Sequence, residues 1–283
     1  MFYQWYVDQV VEDQLHCYAI EDVLVDIKTH WQKIQIIKTK TLGKCLIIDG
    51  KIQSSEADEY IYHESLVHPS LILHPDPKEI LVIGVGEGAT LREILKYEDV
   101  HIIAVEIDPE VINFAEQYLE EWHQGAFKDF RVKLIYEDGW KYMEETENYF
   151  DVIILDLPEP YPNTPAFRLY SSEFYKMVYD RLKPNGIMVT QGETTQWGQQ
   201  ERHFWIRKNI KNIFKDKVYS YQAYIPSFDS SWGFIMAGKG DLNPFKSIEE
   251  IDRLIKNRVK GELKFYDGIT HLSLFYLPKY LRD

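Results

Sequence analysis

The residues of this chain best equipped for chemistry are carboxylates, and they fall at spaced positions. Glu87 stands inside the loop Gly84-Val-Gly-Glu-Gly-Ala89, which follows the apolar run Ile80-Leu-Val-Ile83. A strand entering a glycine turn and then a helix is the nucleotide-binding corner of an open α/β sheet, where backbone N–H groups meet a ligand with no Cβ in the way. A loop built for pyrophosphate would not carry a negative side chain, because like charges a few ångströms apart repel strongly in a partly dry site. A ligand with a cationic arm suits Glu87 better. Gly84, Gly86 and Ala89 also meet the dinucleotide spacing, so NAD stays an alternative. An exposed carboxylate in a first helical turn is another.

Further along, Ile102-Ile-Ala-Val-Glu106 ends in a carboxylate suited to a ribose diol. Asp138-Gly139, Asp156 and the pair Gln191 and Glu193 follow. Asp156 opens the loop Asp156-Leu-Pro-Glu-Pro-Tyr-Pro-Asn-Thr-Pro165, whose four prolines make it a stiff connector. Glu159 and Tyr161 lie within it. Carboxylates beside aromatic faces hold an amine by charge-assisted hydrogen bonds and by cation–π attraction, the latter worth roughly 0.5–2 kcal/mol. The plain alternative is a strand-terminating loop with solvated acids.

These residues need elements to place them. From Lys78 onward, apolar runs alternate with helical patterns, as in a mainly parallel sheet. Strands are predicted to end near Ile83, Val105, Ile135, Leu155 and Thr190, with helices near 88–97, 109–120, 139–147 and 171–183. Ligands on such sheets bind beyond the carboxyl ends of the strands, which is where Glu87, Glu106, Asp138, Asp156 and Gln191 fall. Before Lys78 the pattern differs. Asp22–Lys28, Gln32–Lys38 and Lys44–Ile48 read as half-buried strands, and Asp49-Gly50 is a hairpin turn returning through Lys51-Ile-Gln53. A helix is expected after Ser54 or Ser55 as N-cap, and His74-Pro-Asp-Pro-Lys78 ends it. The division predicted is a β-sheet domain over 1–60 and a catalytic α/β domain over 61–283.

Composition narrows the partners. The chain has 283 residues, 45% hydrophobic and 14% aromatic, enough for a sizeable core. Its 45 acids against 32 bases give −13, which argues against nucleic acid and suits a cationic or neutral ligand. Cys17 and Cys45 have no ligand spacing, so neither a metal site nor a disulfide framework is expected. Met1–Val11 lacks a basic start, and no apolar run of about 18 residues occurs, so no signal peptide or membrane span is expected. A soluble, cytoplasmic protein is the expectation.

Taken together, several stretches resemble the aminopropyltransferases of the spermidine synthase family. They are Leu46-Ile-Ile-Asp-Gly-Lys-Ile-Gln53, Asp58-Glu-Tyr-Ile-Tyr-His-Glu64 with His68-Pro69, and His74-Pro-Asp-Pro-Lys78. The glycine loop, Glu106-Ile-Asp108, Glu137-Asp-Gly139, Asp156 with its proline loop, Leu169-Tyr170, Phe174-Tyr175 and Gln191-Gly-Glu193 complete the set. The resemblance covers essentially the whole chain. It implies an α/β protein: a Rossmann-like, methyltransferase-type, mainly parallel sheet with a small N-terminal antiparallel β domain. It also implies transfer of an aminopropyl group from decarboxylated S-adenosylmethionine to an amine, with methylthioadenosine released. No cofactor beyond that co-substrate is implied, and a homodimer or homotetramer is.

Residue by residue, the resemblance assigns the donor site to Gln32, Gln53, Gly84, Gly86, Glu87, Glu106, Asp138 and Gly139. Glu87 would hold the ammonium of the aminopropyl arm, Glu106 the ribose hydroxyls and Asp138 the adenine amino group. Asp156 would be the base, sharing a hydrogen bond with Tyr62. Glu159, Gln191 and Tyr266 would line the acceptor channel, and His63 fills a place usually given to Gln. Tyr62 and Tyr266 are equally read as packed core tyrosines with satisfied hydroxyls.

The departures concern the acceptor. Gly-Val-Gly-Glu-Gly-Ala stands where the family most often has Gly-Gly-Gly-Asp-Gly-Gly, and Asp156-Leu-Pro-Glu-Pro160 replaces Asp-Ser-(Ser/Thr)-Asp-Pro. With Ile225-Pro-Ser-Phe-Asp-Ser-Ser-Trp-Gly-Phe234, these are similar to the branch of thermospermine synthases and of thermophile triamine or agmatine aminopropyltransferases. Putrescine-type diamines, agmatine and spermidine all remain candidate acceptors. An S-adenosylmethionine-dependent methyltransferase is the main rival, although such enzymes commonly carry an acid where Val82 stands. A non-catalytic polyamine-binding protein is a further alternative.

Overall fold

The computed structural model describes residues 4–11 and 14–282. Among these, five strands form an antiparallel sheet in sequence order: β1 (Gln4–Val11), β2 (Gln14–Lys28), β3 (Lys33–Thr39), β4 (Gly43–Ile48) and β5 (Lys51–Ser55). β2 begins earlier than expected because its first residues pair with β1, Tyr18 opposite Tyr6. The Asp49-Gly50 turn has positive φ at both residues, 48° and 82°, the type I′ geometry whose twist matches a hairpin. It pins Ile48 opposite Lys51 and so sets where Gln53 falls.

The helix expected after Ser54 or Ser55 begins later, as α1 (Glu59–Leu73) with Asp58 at the N-cap position. Ser54 and Ser55 stay in β5, paired with Leu46 and Cys45, so the ladder claims their backbone groups first. α1 runs through Pro69, which cannot donate to the Ser65 carbonyl one turn back. The Tyr221 hydroxyl donates to that carbonyl instead, at 2.9 Å. A helix breaker is thereby accommodated by a tertiary contact.

The second sheet comprises β6 (Glu79–Ile83), β7 (His101–Glu106), β8 (Val132–Tyr136), β9 (Phe150–Leu155), β10 (Leu182–Thr194), β11 (Val218–Ile225) and β12 (Ser230–Gly238). Their order is β11-β12-β10-β9-β6-β7-β8. The five strands from β8 to β10 are parallel, and β12 inserts antiparallel between β10 and β11, as in the methyltransferase-type arrangement expected. Between the strands run α2 (Ala89–Ile94), α3 (Pro109–Tyr118), α4 (Glu120–His123), α5 (Gly139–Glu145), α6 (Ser172–Arg181) and α7 (Glu201–Phe214). After β12 come α8 (Ile248–Arg258) and α9 (Gly268–Phe275).

Central strands alternate strictly between two cores, as a sheet covered on both faces must. Ile80, Val82, Val152 and Ile154 join one cluster, while Leu81, Ile83, Ile153 and Leu155 join the other. The first cluster continues into the small sheet through Ile34, Ile36, Leu46 and Ile48. Burying such side chains contributes roughly 1.5–3 kcal/mol each, so the small sheet is fastened to the large one by ordinary core packing. Strand order reverses between β6 and β9, and a ligand crevice belongs at that switch point.

Candidate active site

A cavity of about 1110 Å³ opens beyond the carboxyl ends of β6, β7, β9 and β10, closed on its other side by the small sheet and its hairpin. That is just above the range of roughly 300–1,000 Å³ usual for ligand pockets. Of the predicted residues, Gln32, Gln53, Tyr62, His63, Gly84, Gly86, Glu87, Glu106, Asp138, Gly139, Asp156, Glu159 and Gln191 all line it.

Tyr266 does not, which corrects the expectation for it. It is 3% exposed; its hydroxyl meets His271 Nδ1 at 2.6 Å and its ring lies against His68. Its backbone N–H, with those of Lys264 and Phe265, donates to the Glu64 carboxylate behind α1. That anchor holds the segment away from the cavity, so the packed-core reading of Tyr266 prevails.

At the end of β7, Glu106 is braced by the loop it faces. One oxygen accepts from Val85 N–H (2.9 Å) and Gly86 N–H (3.2 Å), the other from Asp108 N–H (3.0 Å). The oxygen that accepts only from Asp108 keeps lone-pair capacity for a hydroxyl donor. Burial raises its pKa more than those three backbone bonds lower it. Asp138 caps α5 through Trp140 N–H at 2.8 Å, and its second oxygen accepts from Arg168 at 2.6 Å. Gln32 donates to Asp108, which also caps α3. Gln53 donates to Glu159 at 3.2 Å, joining the small sheet to the proline loop.

A second group of cavity side chains comes from α1, α2 and the end of β9. Asp156 accepts from the Tyr62 hydroxyl at 2.8 Å on one oxygen and from Thr90 Oγ1 at 2.6 Å on the other. Burial raises its carboxyl pKa, opposed by the His63 charge and these two hydroxyls. The Tyr62 phenol is held well above its ordinary pKa by burial and by Asp156, so it stays a hydrogen-bond donor. Beside them, Glu87 Oε1 lies 3.2 Å from His63 Nε2, and His63 Nδ1 lies 2.9 Å from Glu59. Glu59 in turn takes both guanidinium nitrogens of Arg92, at 3.0 and 2.9 Å.

Burial alone would discharge His63, but the hydrogen bonds it donates to Glu59 and Glu87 outweigh it and lift its pKa to about 10. The folded-state value lies above the unfolded one, so the stabilisation is complete below about pH 6.5 and fades as pH rises towards 10, at up to about 1.4 kcal/mol per pH unit. The thermal midpoint of the native chain is therefore expected to fall more steeply from pH 7 to 10 than that of His63→Gln. Parallel slopes would show that His63 is neutral.

At the far end, Glu159 is buried and its pKa is raised by that burial. Glu193 is likewise pushed up to about 8, by burial first and by the Glu159 charge second. Gln191 lines the cavity with both amide ends already engaged. Its Nε2 donates to the Leu157 carbonyl and to the Tyr170 hydroxyl, and its Oε1 accepts from Glu193 N–H. Gln191 thus positions the strand end instead of offering a free group to a ligand.

Sequence reasoning missed Thr90, Glu59 and Arg202. Thr90 is the second residue of the helix after the glycine loop, on the side facing the next switch-point strand, and that phase was its only signal. Glu59 and Arg202 gave none. Among the described residues no cluster of His, Cys, Asp or Glu is arranged to hold a metal ion, and no helix is long and apolar enough to cross a membrane.

Fold and site define an α/β enzyme with a large cavity at a switch point and a buried acid in its lining. A family model for the spermine/spermidine synthase domain matches residues 59–247, and one for the spermidine synthase tetramerisation domain matches residues 4–56. A curated polyamine aminopropyltransferase of Sulfurisphaera tokodaii is 44% identical over 99% of this chain and 93% of its own length. One from Aeropyrum pernix is 41% identical over 99% and 90%. Among solved structures, a spermidine synthase in complex with the transition-state analogue AdoDATO matches with a TM-score of 0.90 and 30% identity, covering 98% of this chain and 93% of that one. Spermidine synthase from Thermotoga maritima matches at 0.89 and 29%, over 99% and 94%. The chain belongs to the spermine/spermidine synthase family, the aminopropyl-transferring enzymes of polyamine biosynthesis. These likenesses do not favour the methyltransferase alternative.

Proposed function

We propose that the chain moves the aminopropyl group of decarboxylated S-adenosylmethionine to a primary amine of a diamine or polyamine. The observation that carries this reading is Asp156, a buried carboxylate with each oxygen aimed by one hydroxyl, between the Glu87 loop and the carboxylates Glu159 and Glu193. In the transfer, a C–N bond forms as the C–S bond breaks, and the sulfonium leaves as a neutral thioether. The donor is therefore already activated. The acceptor is not, because an alkylammonium with pKa near ~10 has no lone pair at neutral pH. Asp156 accepts that proton, its burial favouring the protonated form, and Tyr62 and Thr90 keep it aimed.

On this reading Glu87 holds the donor's ammonium with the oxygen that His63 leaves available. Glu106 holds the ribose, Asp138 the adenine edge, and Gln32, Gln53 and the backbone at Gly84, Gly86 and Gly139 frame the nucleoside. Glu159 draws the amine towards Asp156. A homodimer or homotetramer formed through the small sheet is supported by the match to the tetramerisation domain and by the exposed apolar residues Val7, Leu15 and Val23 on β1 and β2.

The test is methylthioadenosine release from decarboxylated S-adenosylmethionine, with putrescine, cadaverine, agmatine, norspermidine and spermidine offered separately. Release with at least one amine is the expected result and names the acceptor. Donor binding with no release from any of them sinks the transferase reading in favour of a binding protein.

A further inference from the structure

Arg202 is the second residue of α7, in a first turn where the helix dipole disfavours a cation, so its placement does nothing for that helix. Its side chain turns to the cavity. NH1 lies 3.5 Å from Glu193 Oε2, and Cζ lies 4.4 Å from the centre of the Tyr161 ring. A carboxylate edge beside an aromatic face is how a protein seats a ligand cation, and here the occupant is the chain's own guanidinium.

Two further features mark this seat as built for more than Arg202. Glu193 Oε1 is buried without a hydrogen-bond partner, which is costly in a filled structural site. Glu193 also has φ of 65°, in the left-handed region a non-glycine residue rarely adopts, where the β10–β12 register breaks between Gln191 and Thr194. The backbone is bent there to bring the carboxylate inward. The ion pair is long, and the Arg202 side chain is 45% exposed, so the guanidinium is free to leave.

We propose that Arg202 determines acceptor specificity: its guanidinium is a tethered cation in the Glu193–Tyr161 seat. It favours an acceptor that ends short of the seat and disfavours a longer one, whose next ammonium must displace it. The inference rests on reading the cavity as an amine channel.

The test compares kcat/KM for a triamine (spermidine) with that for a diamine (putrescine), at saturating donor and at pH 9, where Glu193 with its pKa of about 8 is ionised, in the native enzyme, Arg202→Gln and Arg202→Lys. Arg202→Gln is expected to raise the triamine-to-diamine ratio about tenfold, the worth of one charge-assisted contact regained by the ligand. Arg202→Lys keeps a cation in place and is expected to hold the ratio within about twofold of native. A ratio in Arg202→Gln that is unchanged or shifted towards the diamine overturns the assignment, as does a lysine variant that behaves like the glutamine one. If the native enzyme releases no methylthioadenosine with any of the five amines, the reading of the cavity itself fails; release with an unmoved ratio sinks Arg202 alone.

Discussion

Asp156→Asn is expected to lower turnover by on the order of 10²-fold or more, the usual loss when a general base is removed, while leaving methylthioadenosine affinity within a few-fold of native. The variant is nearly isosteric, and its amide oxygen still accepts from one of the two hydroxyls, Tyr62 or Thr90, while the other rotates to meet the amide N–H₂. What it lacks is a site for the proton of the attacking ammonium. On the proposed reading nucleoside binding is served by other residues, chiefly Glu106 and Asp138, so the two readouts separate. Turnover and product affinity measured on the same preparation settle it: near-normal turnover removes Asp156 from the chemistry. The native pH profile carries the same signature. Because burial raises the Asp156 pKa, activity climbs with pH as the carboxyl ionises, and that limb disappears in the asparagine variant.

Gly84→Ala is expected to be the most damaging single methyl group in the site. Gly84 has φ of 83°, and a Cβ there would stand 1.9 Å from the Asp156 carbonyl oxygen and 2.8 Å from its carbon. Those are backbone atoms, so no side-chain rotation relieves the collision. Left-handed strain and overpacking together cost roughly 2–5 kcal/mol, and relief requires β6 and β9 to part where they carry the glycine loop and Asp156. The expected result is a thermal midpoint lower by roughly 5–15 °C, with turnover lost out of proportion to the fraction unfolded. Gly86→Ala is the control. Its φ is 52°, but a Cβ there would have no atom within 4 Å, leaving backbone strain alone. Equal destabilisation by the two alanines would mean that the close approach of Gly84 to Asp156 has been misjudged.

Much of the site was legible because a parallel sheet presents its strand ends on one edge, and sequence periodicity locates those ends. Glu87, Glu106, Asp138 and Asp156 follow strands whose apolar runs are plain, and each lines the cavity. Gln53 follows a turn whose two residues dictate its own geometry. Boundaries went astray where two local preferences competed. Ser54 and Ser55 have N-cap chemistry but lie in β5, because the β4 ladder already binds their backbone.

The sequence by itself determined the parallel strands β6 to β10, the switch-point edge and which carboxylates lie along it, since period-two and helical patterns act over a few residues and survive without tertiary context; β1 and the elements after β10 were not read from it. Only the folded chain decided how those carboxylates are charged and aimed. Thr90 reaches Asp156, Arg92 neutralises Glu59 behind His63, Arg202 lies over Tyr161, and Tyr266 is drawn away to His271. Most of these contacts join elements far apart in the chain, set by sheet order and packing. A buried charge takes its protonation state from whichever partner that packing brings within reach, and no local pattern carries that information.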